Sequence, residues 1–366
     1  MTTHPTTIRP LSRRSLGKSG SHSSRVRQRT NPPWRTTRHM SLSLILRVAL
    51  LALTISALPL RAFGYGDAGH QTVGAIADRL IANSPNTVAH VHALIGNETL
   101  EHTATWADTA KHPPHNPTAE MQAFIAANPH LTPTPGPHDQ NSYHFTDIPF
   151  QETHYRAGSA GALNIDVVHM IRNCIAILQG HSTATNNPTG IPPQTALRLL
   201  VHYVGDIHQP LHVGAAYFGP NAQPVNPNTT AGSNADQGGN LIFFHDRVLN
   251  KDTKLHSYWD TPTVRNAMAA ANVQTPGAFA QVIIATPPQG WDSGPFMSGW
   301  SVKWANEMLP IAAEAHNKLT FTGTTNNWTA QSNDLAGYDQ WASAQVRTEI
   351  ARAGFRLAAI LKKIWP

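Results

Sequence analysis

Apolar residues recur at three- and four-residue spacing through five long stretches of the chain, and that period predicts helices. The stretches are "QTVGAIADRLIANS" (71–84), "ALNIDVVHMIRNCIAILQG" (162–180), "PQTALRLLVHYVGDI" (193–207), "SGWSVKWANEMLPIAAEAHNKL" (298–319) and "GYDQWASAQVRTEIARAGFRLAAILKKI" (337–364). In the last, Val346, Ile350, Leu357, Leu361 and Ile364 form a stripe that implies core packing and no chemistry. Strand signals are few: "NLIFFHDRVLN" (240–250) reads as a short hairpin or ribbon. Pro/Asn/Gly-rich loops at 128–142 and 214–239 are places where binding residues are displayed. No internal repeat is visible. The pattern predicts an all-α fold, one multi-helix domain with long functional loops and at most a short β-hairpin.

The periodicity begins only after the first sixty residues. Residues 1–39 are rich in Ser, Thr, Arg and Pro and bury too little to offset ordering entropy, so they read as disordered or as a mis-called extension before a true start at Met40. "MSLSLILRVALLALTISALPLRAFG" (40–64) has a basic residue, an apolar run and a small-x-small ending at Ala62 and Gly64, the pattern of a secretory signal peptide. The run is short and interrupted by Arg47, which argues against a permanent membrane anchor. The expected product is periplasmic or secreted and starts at Tyr65, after cleavage between Gly64 and Tyr65.

That division changes the charge argument. Residues 1–64 hold 11 of the 27 Lys and Arg and none of the 21 Asp and Glu, so residues 65–366 carry a net charge of −5. The basic character of the whole chain belongs to the leader. A general basic surface for nucleic acid is therefore excluded, and a polyanion would have to be attracted by bound metal or by a local cluster. The roughly 300 remaining residues suit one large domain or two small ones. The one cysteine, Cys174, cannot make an internal disulfide and reads as a small buried apolar residue.

Candidate chemistry lies in clusters of histidine and aspartate. "HYVGDIHQPLH" (202–212) places His202 and Asp206 four apart, on one helical face. His208 is turned off that face, and Pro210 puts His212 just past the helix end. "KLHSYWD" repeats the four-residue spacing with His256 and Asp260, "YGDAGH" offers His70, "TATWADTAKH" offers Asp108 and Lys111, and "SYHFTDIP" offers His144 and Asp147. Imidazole nitrogen and carboxylate oxygen suit zinc. Taken singly, each His-x3-Asp pair is as well explained by an ordinary hydrogen bond. His90, His92, His112, His115, His130 and His138 look like loop or surface residues.

Together "YGDAGH", "WAD", "YHFTD", "HYVGDIHQPLH", "DQGGN" and "LHSYWD" resemble the trinuclear-zinc single-strand nucleases of the nuclease P-one and S-one type, including bacterial members, over nearly all of residues 65–366. The resemblance implies the all-α fold shared with phospholipase C and three zinc ions per chain. Asp108, His144 and His202 would hold one ion, and Asp206 would bridge it to a second. His70 and the α-amino group and carbonyl oxygen of Tyr65 would complete the second site; His212, His256 and Asp260 would hold the third. His208 matches a position that is not a ligand. The family usually begins with Trp where this chain has Tyr65; the ligand is backbone, so ring packing differs while the metal chemistry is kept.

The implied reaction is hydrolysis of single-stranded DNA or RNA to 5′-phosphate products by a metal-activated hydroxide, with 3′-nucleotides as further candidate substrates. Asp108, Lys111, Asp147 and Asp206 are the catalytic candidates. Lys111 either stabilises transition-state charge or is a plain exposed lysine. Asp147 would orient a ligand or water. Phe145 either stacks a base or is core. "DQGGN" (236–240) is a tight turn, with Asn240 a substrate-binding candidate, or purely structural. The partner expected is a single-stranded nucleic acid or nucleotide, bound by a monomer. Two rival readings are a zinc phospholipase C, whose family usually has Glu at the place of Asp260, and a secreted zinc-binding protein without catalysis.

Overall fold

A computed structural model of the chain describes residues 65–129 and 138–366. The readings for residues 1–64, including the leader and its cleavage point, lie outside the described residues, as does His130. The described residues belong to one unit, Arg61–Pro366.

The five periodic stretches are helices, within a few residues of their predicted bounds. They are α1 (Gly66–Ile81), α6 (Val167–Leu178), α7 (Pro193–Asp206), α11 (Trp300–Asn317) and α12 (Leu335–Ile364). Shorter helices occupy segments that carry too few apolar residues to show the period. Between α1 and α6 lie α2 (Pro85–Ile95), α3 (Leu100–Thr103), α4 (Trp106–Lys111) and α5 (Ala119–Ala127). Between α7 and α11 lie α8 (Leu255–Asp260), α9 (Pro262–Ala270) and α10 (Pro276–Ile284). Several start on side-chain caps: Thr99, Thr118, Asp166, Thr275 and Asp334 each accept a backbone N–H of the first turn.

The longest helix, α12, packs along α1, and α6 packs along α7. Between them α7 is buried on every side: each residue from Thr195 to Asp206 is buried, the pattern of a central helix. The predicted stripe is core, with Val346, Ile350, Leu357 and Leu361 fully buried. Cys174 is a free, buried thiol, as its apolar reading requires. Burial of this extent stabilises each large side chain by about 1.5–3 kcal/mol.

Strand content is small but exceeds a single hairpin. β5 (Ile242–Asp246) and β6 (Lys251–Lys254) are the predicted ribbon, and β7 (Thr320–Thr324) and β8 (Asn327–Gln331) extend it into a four-stranded sheet ordered β6-β5-β8-β7. The second hairpin was hidden because its strands are Thr/Asn-rich and bury only Trp328 and Ala330. Elsewhere β1 (Ile148–Pro149) pairs in parallel with β2 (Gly214–Ala215), and β3 (Tyr217–Phe218) pairs antiparallel with β4 (Asn234–Ala235). The β1–β2 pair matters most for function: Thr146 N donates to His212 O at 2.8 Å and Ile148 N to Val213 O at 3.0 Å. It ties the segment after His144 to the segment after His212.

Among the described residues, no helix is long and apolar enough to cross a membrane.

Candidate metal centre

The last turn of α7 presents His202 and Asp206 on one face, both fully buried, as their spacing predicts. Three other elements deliver partners to this turn. The first turn of α1 brings His70, α4 brings Asp108, and a 3-10 turn at Gln140–His144 ends on His144. Asp206 lies at the junction: its Oδ2 is 2.9 Å from His144 Nδ1 and 3.2 Å from His202 Nε2, while its Oδ1 is 3.3 Å from His70 Nε2 and 3.6 Å from His212 Nδ1. Asp108 Oδ1 lies 3.6 Å from His202 Nε2 and 3.7 Å from His144 Nδ1.

After α7 the chain turns. Pro210 lacks an N–H, and Gln209 takes an extended conformation (φ −95°, ψ 117°), so the helix cannot continue. The 3-10 turn Pro210–His212 then aims His212 at α8, where His256 and Asp260 share a face. His212 Nε2 is 3.8 Å from Asp260 Oδ1, and His256 Nε2 is 3.5 Å from Asp260 Oδ2.

Three groups of candidate metal-holding residues result: His70, His202 and Asp206; Asp108, His144 and His202; and His212, His256 and Asp260. Within each, one nitrogen or oxygen per residue falls within 4.8 Å of the others. The second and third match the ligand sets implied by resemblance. In the first, His202 comes into reach of His70 as well, because the two rings stack with centroids 3.7 Å apart.

Three imidazoles are oriented by the same device. His202 Nδ1 donates to Ala104 O (2.7 Å), His212 Nδ1 to His144 O (2.8 Å) and His256 Nδ1 to Gly238 O (2.8 Å). A carbonyl can only accept, so each Nδ1 carries a proton and Nε2 is the nitrogen turned to the centre. Gln209 does the same for a carboxylate: its Nε2 donates to Asp260 Oδ1 at 2.8 Å and leaves Oδ2 free. None of these partners was foreseen. A carbonyl leaves no mark in a sequence, although a buried Gln before a proline was a signal that could have been followed.

Two glycines have steric reasons to be here. A Cβ on Gly205 would lie 2.6 Å from His70 Nδ1, closer than real Cβ contacts come, so glycine on α7 is what admits the His70 ring. Gly238 sits at φ +59°, where a Cβ would lie 2.2 Å from Leu211 O. The "DQGGN" turn therefore brings a carbonyl to His256, which favours its structural reading.

Electrostatics favours a cation. Burial pushes the Asp108 and Asp206 carboxyls up, but the charges around them win. Lys111, His202 and His144 hold Asp108 below the usual carboxylate range, and His202 and His212 hold Asp206 well below it. Burial, helped by Lys111, drives His144 down to about 3, and burial also lowers His70 and His256. His212 rises to about 9, because Asp206 and Asp260 outweigh its burial. Burial works against a charged His202 too, but Asp206 and Asp108 outweigh it and raise it, so the carboxylates draw protons onto His202 and His212, positive charge that a bound cation would supply in their place.

His208, read from sequence as turned away, donates from Nδ1 to Val204 O (2.6 Å) and accepts from Arg356 Nη1 through Nε2 (2.8 Å). Both nitrogens are used, so it has none for a metal. Tyr65 is fully buried at the head of α1; its hydroxyl donates to His208 O and its carbonyl oxygen accepts from Gly69 N at 3.1 Å. Lys111 is largely buried and its Nζ sits 2.7 Å from Asp108 Oδ1, so it is not a free surface lysine. Phe145 is half-buried and, among the described residues, is not packed against the core, unlike the neighbouring Tyr143. Asn240 Nδ2 donates to Gln237 O at 2.9 Å and is turned into its own loop. Among the described residues no hydrogen bond ties the Asp147 carboxylate to a candidate ligand; burial and the nearby Asp236 lift it to about 7, against the opposing charge of His212. His90, His92, His112 and His115 are exposed and His138 is half-buried, in keeping with their loop or surface reading.

Against known proteins, the family profile described as S1/P1 Nuclease matches residues 65–366. The chain belongs to the S1/P1 nuclease family. Nuclease S1 of Aspergillus oryzae is 27% identical over 328 residues, covering 87% of this chain and 98% of that protein. Endonuclease 3 of Arabidopsis thaliana is 25% identical over 321 residues (87% and 94%), and nuclease P1 of Penicillium citrinum is 26% identical over 316 residues (82% and 97%).

S1/P1 nucleases are trinuclear zinc enzymes, and the three groups fit that complement. The fit rests on atoms: both ring nitrogens of His70, Asp108 Oδ2, Asp206 Oδ1, His212 Nε2 and Asp260 Oδ2 are buried without a hydrogen-bond partner among the described residues. Orphaned atoms of this kind cost about 1–3 kcal/mol each or more, and here they converge in threes on borderline-hard nitrogen and oxygen donors that zinc prefers. Family membership leaves the phospholipase C and zinc-storage readings without support.

Proposed function

We propose that this protein is a secreted, monomeric zinc hydrolase that cleaves phosphodiester bonds in single-stranded DNA or RNA, and also acts on 3′-nucleotides, giving 5′-phosphate products. The observation that carries the reading is the set of three buried His/Asp groups joined through Asp206, whose two oxygens face different groups. Asp108, His144 and His202 would hold one zinc, Asp206 would be shared with a second held by His70 and by the amino group and carbonyl oxygen of a mature Tyr65, and His212, His256 and Asp260 would hold the third. When bound, the ions supply a nucleophile at neutral pH and positive charge against the phosphate.

The protein's own groups do the rest. Backbone carbonyls fix three imidazoles with Nε2 turned to the centre. Lys111, drawn against Asp108, adds positive charge beside the reacting phosphate. Phe145, next to His144 and off the core, offers a ring face to a base; only an unpaired, unstacked base can use it, which selects single strands. Asp147 orients a ligand or water, and Asn240, turned into its own loop, serves the turn rather than the substrate. The leader over residues 40–64 directs export and is removed after Gly64.

The test places single-stranded DNA and phosphatidylcholine side by side before the secreted protein, with metal analysis and N-terminal mass spectrometry of the same sample. Three zincs, a terminus at Tyr65 and hydrolysis of the DNA alone are expected. Hydrolysis of the lipid, or of neither substrate by the three-zinc protein, overturns the proposal.

A further inference from the structure

A second recess, outside the metal centre, lies on the exposed side of α6. It measures about 760 Å³ and is bounded by His169, Arg172, Asn173 and Gln179 on the helix, Asn186 on the following loop and Met297 across from them. No carboxylate lines it.

Its polar groups are arranged in a particular way. Asp166, fully buried, caps α6 and is saturated: Oδ1 accepts His169 N (3.1 Å) and His169 Nδ1 (2.9 Å), and Oδ2 accepts Leu163 N (3.2 Å) and Tyr155 OH (2.8 Å). The His169 ring is thereby clamped by Nδ1, and its Nε2 is what remains for the recess. One turn on, Arg172 is exposed and makes no salt bridge among the described residues. Most arginines elsewhere in the described residues are tied to carboxylates, as Arg198, Arg247, Arg265, Arg352 and Arg356 are. Phe296 precedes the lining residue Met297 in the chain and is 79% exposed. That is a costly position for a phenylalanine unless something covers it.

We propose that this recess is an extension site for single-stranded nucleic acid, in which Arg172 holds a backbone phosphate and Phe296 stacks a base. The inference rests on the nuclease reading above and adds to it a second point of contact for longer substrates. A cationic groove with an aromatic platform is the minimum that binding of unpaired strands requires. Local placement of the cation also answers the charge problem: residues 65–366 are net negative, so a polyanion needs a patch of this kind rather than a general field. The recess is not remote from the metal centre, since Val167 N in the first turn of α6 donates to Phe145 O at 3.3 Å.

The test compares kcat/KM for an oligothymidylate of twenty residues with kcat/KM for a thymidine dinucleotide, using zinc-loaded protein and the variants Phe296→Ala, Arg172→Ala and Arg172→Lys. The ratio of long to short is expected to fall at least about fivefold for Phe296→Ala, the loss of one base stack. For Arg172→Ala the ratio falls too, and the slope of log KM for the long substrate against log salt flattens by about 0.7, one phosphate contact on a single strand. Arg172→Lys restores the slope. Ratios and slopes equal to those of the wild type overturn the extension site while leaving the nuclease reading intact. A wild-type protein that cuts neither substrate overturns both.

Discussion

Gly205→Ala is a one-carbon change that ought to remove one metal ion and leave the fold standing. The added Cβ would lie 2.6 Å from His70 Nδ1 and 2.9 Å from Cε1, against ordinary contacts of 3.4–4 Å, so the ring must retreat by roughly 1 Å. It has little room, because its other side is stacked on His202 at 3.7 Å. Metal–ligand distances tolerate only about 0.2 Å, so a displaced His70 cannot keep its place in the group with Asp206. Within the helix the change itself is favourable, since alanine in place of glycine gains about 1 kcal/mol of helix propensity, offset by about 1–3 kcal/mol of overpacking. The metal-free variant should therefore melt within a few degrees of the metal-free wild type. Metal analysis after dialysis should give two zincs per chain instead of three, and hydrolysis of single-stranded DNA should fall by at least about a hundredfold. Full activity with three zincs in Gly205→Ala would show that His70 does not ligate metal from the position described.

Other expectations follow from single contacts. Gln209→Leu removes the donor to Asp260 Oδ1 and should weaken the most labile zinc by about 10–100-fold in chelator competition; an unchanged affinity rejects the orienting role. Phe145→Ala should raise KM for single-stranded substrate about fivefold or more with three zincs retained, and a zinc loss instead would mark Phe145 as structural. Glu349 is buried in α12 and its pKa is raised by burial to about 7 from an ordinary 4.5, despite Arg352 beside it. The folded state thus holds this proton more tightly than the unfolded state. The resulting stability is complete below pH 4.5 and is lost as pH rises through about 7. Melting temperatures of Glu349→Gln across that window should fall less with pH than those of the wild type, and parallel curves would rule the assignment out.

The parts of this molecule legible in sequence are those written in side chains at regular spacing. Helix period announced α1, α6, α7, α11 and α12, and the His-x3-Asp pairs announced which faces of α7 and α8 carry chemistry. The geometry of Pro210 separated His212 from His208. What stayed hidden depends on the backbone or on distant partners. Ala104, His144 and Gly238 act through their carbonyls, so no residue type signals them. Gly205 is unremarkable until His70 is known to lie against it. The hairpin of β7 and β8 has few apolar residues and is held by pairing with β5, from which it is separated by more than seventy residues.

His144 takes part in two groups at once. Its ring meets Asp206 and approaches Asp108, while its carbonyl oxygen orients the ring of His212. The backbone at one residue is therefore a mechanical link between a metal pair and the third ion. Filling one site settles the geometry the other needs, so the zincs should load cooperatively rather than as three independent equilibria. A chelator that strips the ion of the His212 group should loosen the ion held beside His144, while two-zinc species remain populated.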